Sequence, residues 1–256
     1  MKPRPAPSPA RDHYSYRVYA DPSTARTFDD RRFGGPIGEV VAATQARILG
    51  ESIRPSPGRT ILDVGTGTGR AALMLARAGA DVIGVDASEE MLAVARSRAA
   101  SEGVAARFEI GDAHALGFPD RSVDVAVSLR VLMHTPDWRR CVGELCRVAR
   151  ELVIVDYPSA ASVALLESAV RRVTHAAGAR TEPYRVFTDG AIDDAFAAAG
   201  FRVRVRHRQF VLPIALHKAI GSQQFTERVE RVLDRAGLLR RFGSPVTLVA
   251  ERCASS

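Results

Sequence analysis

Hydrophobic and polar positions in the middle of the chain follow two alternating periods. Short runs rich in Val, Ile and Leu predict strands at 60–64, 81–86, 106–111, 122–129 and 151–156. Between them, Ala- and Leu-rich segments with helical spacing predict helices at 70–78, 89–100 and 137–149. Strands that alternate with helices are typical of βαβ units, so the pattern predicts an α/β fold built around a parallel sheet.

The flanking regions are also patterned. Upstream, 37–53 predicts an amphipathic helix; downstream, 159–177 and 189–199 predict helices, 212–242 a mostly helical insert, and 201–208 and 246–251 strands. In 201–208 the alternation is strict. It predicts one face with Phe201, Val203, Val205 and His207, and a solvated face with four arginines.

The length of 256 residues is suited to one domain with additions. We expect a Pro-rich leader without ordered structure at 1–12, a helical N-terminal segment at 13–58, and the main domain at 59–256 with the insert at 212–242. Hydrophobic residues at 46% and charged residues at 25% are ordinary globular values, which exclude a disordered or fibrous chain.

The net charge of +7 is concentrated at the ends, since 200–256 holds eleven bases and four acids. Three cysteines without a CxxC spacing argue against a disulfide framework or a zinc site, and no metal-ligand cluster is visible. No apolar run reaches the roughly 18 residues of a membrane span. The N-terminus lacks the apolar core of a signal peptide. Together these features predict a cytoplasmic protein.

The most informative string is the glycine-rich turn GTGTG at 65–69, which lies between a predicted strand and a predicted helix. Glycines let a ligand approach the backbone closely. Asp86 closes the next strand, where a doubly wound sheet places an acid against ribose hydroxyls. The arrangement predicts a ligand of the adenosine type at the carboxyl ends of the strands.

The spacing of the turn favours one cofactor over another. The dinucleotide fingerprint G-x-G-x-x-G is not met, because the glycines follow a G-x-G-x-G pattern with Arg70 next. Asp63, just before the turn, suits a cationic ligand better than a pair of phosphates. S-adenosylmethionine carries a sulfonium and an ammonium group and no phosphate, so it is favoured over NAD.

Four strings in order, at 62–69, 82–92, 111–128 and 130–138, resemble class I S-adenosylmethionine-dependent methyltransferases, among them ubiquinone and menaquinone biosynthesis enzymes. The resemblance implies a Rossmann-like seven-stranded methyltransferase sheet with helices on both faces, S-adenosylmethionine as cofactor and a small-molecule acceptor. In that case the residues of these motifs contact the cofactor and leave none for the substrate. We therefore expect the N-terminal segment and the insert to cover the substrate.

The resemblance also implies individual roles. The methionine end would be lined by Gly65, Gly67 and Gly69, with Asp63 near the amino group. Asp86 would hold the ribose hydroxyls, and Asp112 with the backbone of Ala113 would bind the adenine. Ser128 would lie beside the sulfonium, and Ala87 is a further cofactor-binding residue. His134 follows the fourth strand and is the candidate general base, since the ordinary pKa of histidine suits that task. His114 beside the adenine motif is interpreted as incidental.

The predicted function is transfer of a methyl group to an oxygen or carbon atom of a small molecule of the quinone, phenol, polyketide or lipid-like kind. An RNA methyltransferase is the alternative that the basic ends suggest, but the chain has no recognisable RNA-binding module, so a nucleic-acid partner is not expected. A second alternative is a non-catalytic protein that binds S-adenosylmethionine. The acceptor, and whether the chain forms a homodimer, stay open.

Overall fold

The computed structural model describes residues 25, 27–29, 33–176 and 184–254. The leader predicted at 1–12 therefore lies outside the described residues, as does most of 13–32. Of the predicted N-terminal segment, the helix is described in full, two residues longer at its start than the sequence predicts.

Seven strands and nine helices are labelled here in chain order within the described ranges. The strands are β1 Thr60–Val64, β2 Asp81–Asp86, β3 Arg107–Ile110, β4 Val123–Ser128, β5 Ala149–Tyr157, β6 Phe201–Phe210 and β7 Ser244–Arg252. The helices are α1 Gly35–Ile53, α2 Arg70–Arg77, α3 Glu89–Glu102, α4 Trp138–Val148, α5 Ala164–Ala176, α6 Asp189–Ala198, α7 Ile214–Ile220, α8 Gln223–Arg235 and α9 Leu238–Phe242. None of these helices is long and apolar enough to cross a membrane.

The strands form one sheet in the order β3–β2–β1–β4–β5–β7–β6, which confirms the predicted seven-stranded architecture. The first five are parallel, and β7 is antiparallel to both of its neighbours. In the register of the central strands, Asp63 lies opposite Gly84 on one side and Val127 on the other. The carboxyl ends of β1, β2 and β4 therefore meet at one edge, where a doubly wound sheet binds its ligand.

Each face of the sheet carries its own hydrophobic core, because successive side chains of a strand point to opposite faces. On one face, Leu62 and Val64 of β1 pack with α4 and α6. On the other, Ile61 packs with α1, α2 and α3. Trp138 anchors α4 through an edge-to-face contact with Phe187 at 5.1 Å between ring centroids. Helices thus cover both faces, as the sequence predicts.

The solvated arginine face predicted for 201–208 is confirmed for Arg202 and Arg204, which are exposed, and is wrong for Arg206 and Arg208. The pairing of β6 with β7 shifts register between Val203 and Val205, so the alternation is reversed beyond this bulge. Arg206 and Arg208 consequently lie on the face covered by α6. Arg206 pairs with Asp193 and Arg208 with Asp189, both of α6. A single extra residue in one strand moved two arginines from the expected solvent face into ion pairs.

The predicted helical insert at 212–242 consists of α7, α8 and α9, joined to β6 by a buried polar cluster. The Glu230 carboxylate accepts hydrogen bonds from the backbone N–H groups of Val211 at 2.8 Å and Leu212 at 3.0 Å. It also contacts Nε2 of His217 at 2.9 Å, and Nδ1 of His217 lies 3.0 Å from the hydroxyl of Thr226. Glu230 thereby fixes the end of β6 against α8.

We expect Glu230→Ala to lower the free energy of unfolding by about 2–4 kcal/mol, because it leaves two partly buried N–H groups and a buried histidine without their acceptor. Urea unfolding monitored by circular dichroism measures this. Glu227→Ala is the matched control, since Glu227 lies on the same helix, is exposed and accepts a hydrogen bond from the Gln223 side chain at 2.8 Å. Equal losses in the two variants would contradict the role given to Glu230.

Candidate active site

The glycine-rich turn is fixed to β2 and to the loop after β4. The N–H groups of Gly65 and Thr66 both donate to the Val85 carbonyl, at 2.7 and 3.0 Å. Gly65 has a φ of +74°, and a Cβ built there would lie 2.2 Å from a methyl carbon of Val131. Only glycine satisfies both the conformation and this close approach. The turn borders a cavity whose lining includes Asp63, Gly65, Gly67, Asp86 and Ala87.

Asp63 is a buried carboxyl group, 2% exposed, at the end of β1. Burial raises its pKa from 3.8 to about 6, although the Thr66 hydroxyl, which donates to Oδ2 at 2.7 Å, and the charge of Arg70 oppose the rise. A buried carboxylate of this kind costs folding free energy unless a cation neutralises it. Asp63 therefore favours a positively charged ligand in this cavity.

Asp86 at the end of β2 is oriented by backbone groups. Its Oδ2 accepts from the N–H of Gly67 at 2.8 Å, and its Oδ1 accepts from the N–H of Ser88 at 2.9 Å. Burial raises its pKa despite these bonds. Each carboxylate oxygen can accept a second hydrogen bond, so the group can bind a pair of hydroxyls from the cavity.

Three of the residues predicted to bind the cofactor do not border the cavity, namely Gly69, Ser128 and Asp112. Gly69 is the N-cap residue of α2 with a φ of +79°, and a Cβ there would lie 2.9 Å from the Cβ of Ala95, so its position serves packing between α2 and α3. The Ser128 hydroxyl donates to the Val64 carbonyl at 2.9 Å inside the sheet. Asp112 contacts the His114 ring at 2.8 Å. None of the three borders the cavity, whereas Ala113 and His114 do.

Arg70 is a cavity residue that the sequence analysis did not assign. Its guanidinium lies 3.8 Å from the centroid of the Phe33 ring and donates a hydrogen bond to the Gln45 side chain. Burial lowers its pKa, while the charges of Asp29, Asp63 and Asp156 oppose this. The cavity therefore holds a half-buried cation as well as a buried acid. The signal in the sequence is an arginine directly after the glycine turn.

The N-terminal segment contributes Asp29 to the same cavity. The Thr68 hydroxyl of the glycine turn contacts both Asp29 carboxylate oxygens at 3.0 Å, and Arg98 of α3 forms an ion pair with Asp29. These bonds attach the segment before α1 to the turn and to α3. One side of the cavity is thereby closed by residues far away in the sequence.

A second cavity, of about 470 Å³, adjoins the first. Its lining comes from the segment before α1, the ends of β4 and β5, α5, and the start of the insert. Four residues border both cavities, namely Phe28, Phe33, Arg130 and His134. His134 is buried in a short 3₁₀ helix, Leu132–His134, and its N–H donates to the Val131 carbonyl at 2.8 Å. The predicted base thus lies where the two spaces meet.

Asp156 at the end of β5 holds the loop that carries His134. Its Oδ1 accepts the backbone N–H of Arg130, a residue with an unusual φ of +63°. Its Oδ2 lies 3.5 Å from the amide nitrogen of Gln45 in α1, whose amide oxygen accepts from Arg70. The sequence predicted a strand ending at Asp156 but no such network, since its members are far apart in the chain. In the described residues, no group of three or more His, Cys, Asp or Glu could hold a metal ion.

We expect Asp63→Asn to stabilise the protein at pH 8 by up to about 3 kcal/mol, because the fold no longer buries a carboxylate. Because burial raises the pKa of Asp63 from 3.8 to about 6, the carboxylate destabilises the fold by the full amount above pH 6 and not at all below about pH 4. The gain should therefore shrink as the pH falls from 7 to 4, as urea unfolding at several pH values would show. Asp81→Asn, at the exposed start of β2, is the control; a gain that does not depend on pH would contradict the assignment.

Comparison with known proteins agrees with this geometry. Residues 61–151 match the family model described as a methyltransferase domain. Demethylmenaquinone methyltransferase of Thermus thermophilus is 38% identical over 117 residues, which are 44% of this chain and 53% of the relative. Methyltransferase GfsG of Streptomyces halstedii is 36% identical over 142 residues, 54% of this chain and 48% of the relative. The chain thus spans about half the length of these curated relatives.

The fold likeness extends further than the sequence likeness. The crystal structure of magnesium protoporphyrin IX methyltransferase from Synechocystis with bound SAH superposes with a TM-score of 0.66 at 19% identity, and covers 94% of this chain and 100% of that chain. At this identity the match shows the fold alone. Residues 61–151 thus match a methyltransferase domain, and the chain around them has the fold of a methyltransferase solved with bound SAH.

Proposed function

We propose that this chain is an enzyme that binds S-adenosylmethionine in the first cavity and transfers its methyl group to an oxygen or carbon atom of a small molecule in the second. The observation that supports this most directly is the position of His134, which borders both cavities. A base at their junction can reach the acceptor atom that faces the methyl group.

The residues of the first cavity suit this cofactor. The buried carboxyl of Asp63 and the guanidinium of Arg70 offer opposite charges for the ammonium and carboxylate of the methionine part. Asp86 offers oxygens to the ribose hydroxyls, and Met91 and Leu129 supply apolar surface for the adenine. A dinucleotide would instead bring its phosphates close to Asp63, which is unfavourable for like charges.

The protein's part in the reaction is positioning and removal of a proton. When bound, S-adenosylmethionine supplies a methyl group that is already activated by the sulfonium. The glycine turn, Asp63 and Asp86 hold the cofactor in place, and the second cavity holds the acceptor atom in line with the methyl group. Such positioning can lower the reaction barrier by roughly 7–11 kcal/mol in the best cases. His134 accepts the proton of an acceptor hydroxyl or acidic C–H.

The kinds of substrate named for the similar proteins are small molecules: a demethylmenaquinone for the Thermus thermophilus relative and a porphyrin for the Synechocystis structure. We propose an acceptor of comparable type for this chain. The segment before α1 and the insert act as covers for it, since Phe28 and Phe33 line the second cavity from one side and Leu212 and Ile214 from another.

We expect the protein to bind S-adenosylmethionine and S-adenosylhomocysteine with micromolar affinity, and Asp86→Ala to weaken both by at least about tenfold, because the ribose loses its charged acceptor. Isothermal titration calorimetry, with NAD as a third ligand, measures this. Asp81→Ala changes an acid at the opposite, exposed end of the same strand and should leave the affinity unchanged. Binding of NAD and neither of the other two would refute the proposed cofactor.

His134→Gln should lower kcat for methyl transfer by roughly 10²–10⁴-fold and change the affinity for S-adenosylmethionine little, since the proton acceptor is lost and the cofactor contacts remain. The assay follows S-adenosylhomocysteine formed with a panel of phenols, quinones and carboxylic acids. His207→Gln on β6, which borders neither cavity, is the control. An unchanged kcat would exclude His134 as the base. Tight cofactor binding by the wild type with no transfer to any acceptor would favour the non-catalytic alternative.

A further inference from the structure

The lining of the second cavity carries information about the acceptor itself. Aromatic residues make up 6% of the chain, yet five aromatic side chains line this one cavity: Phe28, Phe33, Tyr157, Tyr184 and Phe210. The hydroxyl of Tyr157 donates to Asp189 at 2.9 Å, and that of Tyr184 donates to Glu167 at 3.1 Å. Tyr157 is fully buried and Phe210 is 5% exposed, so contact with a ligand falls mainly to the rings of Phe28, Phe33 and Tyr184. Such a lining suits a flat, aromatic molecule.

The reacting end of the acceptor must lie toward the cofactor. Phe28, Phe33, Arg130 and His134 border both cavities and therefore mark that end. Of the two phenylalanines, Phe33 is held by the Arg70 guanidinium, which lies over its ring. A ring inserted here would present its edge substituent to His134.

Two cations lie in the part of the second cavity that the first does not share. Arg171 comes from α5 and Lys218 from α7, so the two charges reach the cavity from different elements. Arg171 lies seven residues beyond Ala164, which also lines the cavity, so it is about 10 Å farther along the helix. A guanidinium has five N–H donors and can bind an anion while it keeps other contacts.

The acids of the same lining are already used by the protein. Asp156 accepts from the Arg130 backbone and from Gln45. Glu167 accepts the Tyr184 hydroxyl, and the Arg171 guanidinium lies 5.6 Å from the centroid of that tyrosine ring. Counting Arg130, the described lining holds three cations and two acids, so an anionic group on a ligand meets a lining of net positive charge, with Arg171 and Lys218 as its partners.

We infer that the acceptor is an aromatic acid, with its ring between Phe28, Phe33 and His134 and its carboxylate at Arg171 and Lys218. This rests on the proposed function, and it narrows that function from small molecules in general to planar molecules with an anionic group remote from the methylated atom.

Binding of a matched pair of ligands tests the inference. We would titrate the protein, saturated with S-adenosylhomocysteine, with 6-hydroxy-2-naphthoic acid, whose hydroxyl and carboxylate lie at opposite ends of the ring system, and with its uncharged amide at pH 7 by calorimetry. The acid should bind at least about tenfold more tightly than the amide, because only it forms charge-assisted hydrogen bonds. Arg171→Gln and Lys218→Gln should each remove most of this difference without weakening the amide.

Arg172→Gln is the matched control, since Arg172 is the exposed neighbour of Arg171 on α5 and does not line the cavity; it should preserve the difference. Thermal unfolding checks that all three variants fold. Equal binding of acid and amide would overturn the anionic part of the inference. Binding of neither, while S-adenosylhomocysteine binds, would overturn the aromatic acid as a class. If S-adenosylhomocysteine itself did not bind, the proposed function would fail together with the inference.

Discussion

A buried carboxylate, Asp156, holds together the parts of the chain that form the two cavities. One of its oxygens accepts a hydrogen bond from the backbone N–H of Arg130, and the other faces the amide nitrogen of Gln45. Arg70 then donates to the oxygen of the same amide. The helix before the sheet, the helix after the glycine turn and the loop with His134 are therefore mutually fixed through one polar chain. Removing any member would leave buried polar groups unsatisfied, which is why such networks confer a specific arrangement.

The site keeps ionisable groups in places where burial opposes their charge. Burial raises the pKa of Asp63 and Asp86 and lowers that of Arg70, so each would be easier to accommodate as a neutral or apolar residue. Ionisable groups whose pKa is shifted by burial are common at functional sites, because a bound ligand of opposite charge offsets the folding free energy that their burial costs. The zwitterionic methionine part of the proposed cofactor matches both signs. This complementarity explains why the same cavity contains an acidic and a cationic side chain whose burial costs folding free energy.

The sequence predicted the sheet well because its signals are local. Strands β1 and β2 were both predicted at their observed bounds. The bulge in β6 was missed, because only pairing with β7 reveals that one residue is extra. The roles of Arg70 and Asp156 were missed for a similar reason: Gln45 and Asp156 are 111 residues apart and meet only in the folded chain. Periodicity reports on neighbours along the chain and contains no such information.

Different parts of the chain line the cofactor cavity and the acceptor cavity. Similarity to known proteins therefore indicates the cofactor but not the acceptor. The family match covers 61–151, and within it lie the glycine turn, Asp63 and Asp86. Of the residues that line the second cavity, only Arg130, Met133 and His134 fall in that range. The rest come from the segment before the sheet and from the chain after 151, outside the part that the family model matches. Cofactor chemistry can therefore be carried over from the family, whereas acceptor choice has to be derived from this chain's own aromatic and cationic side chains.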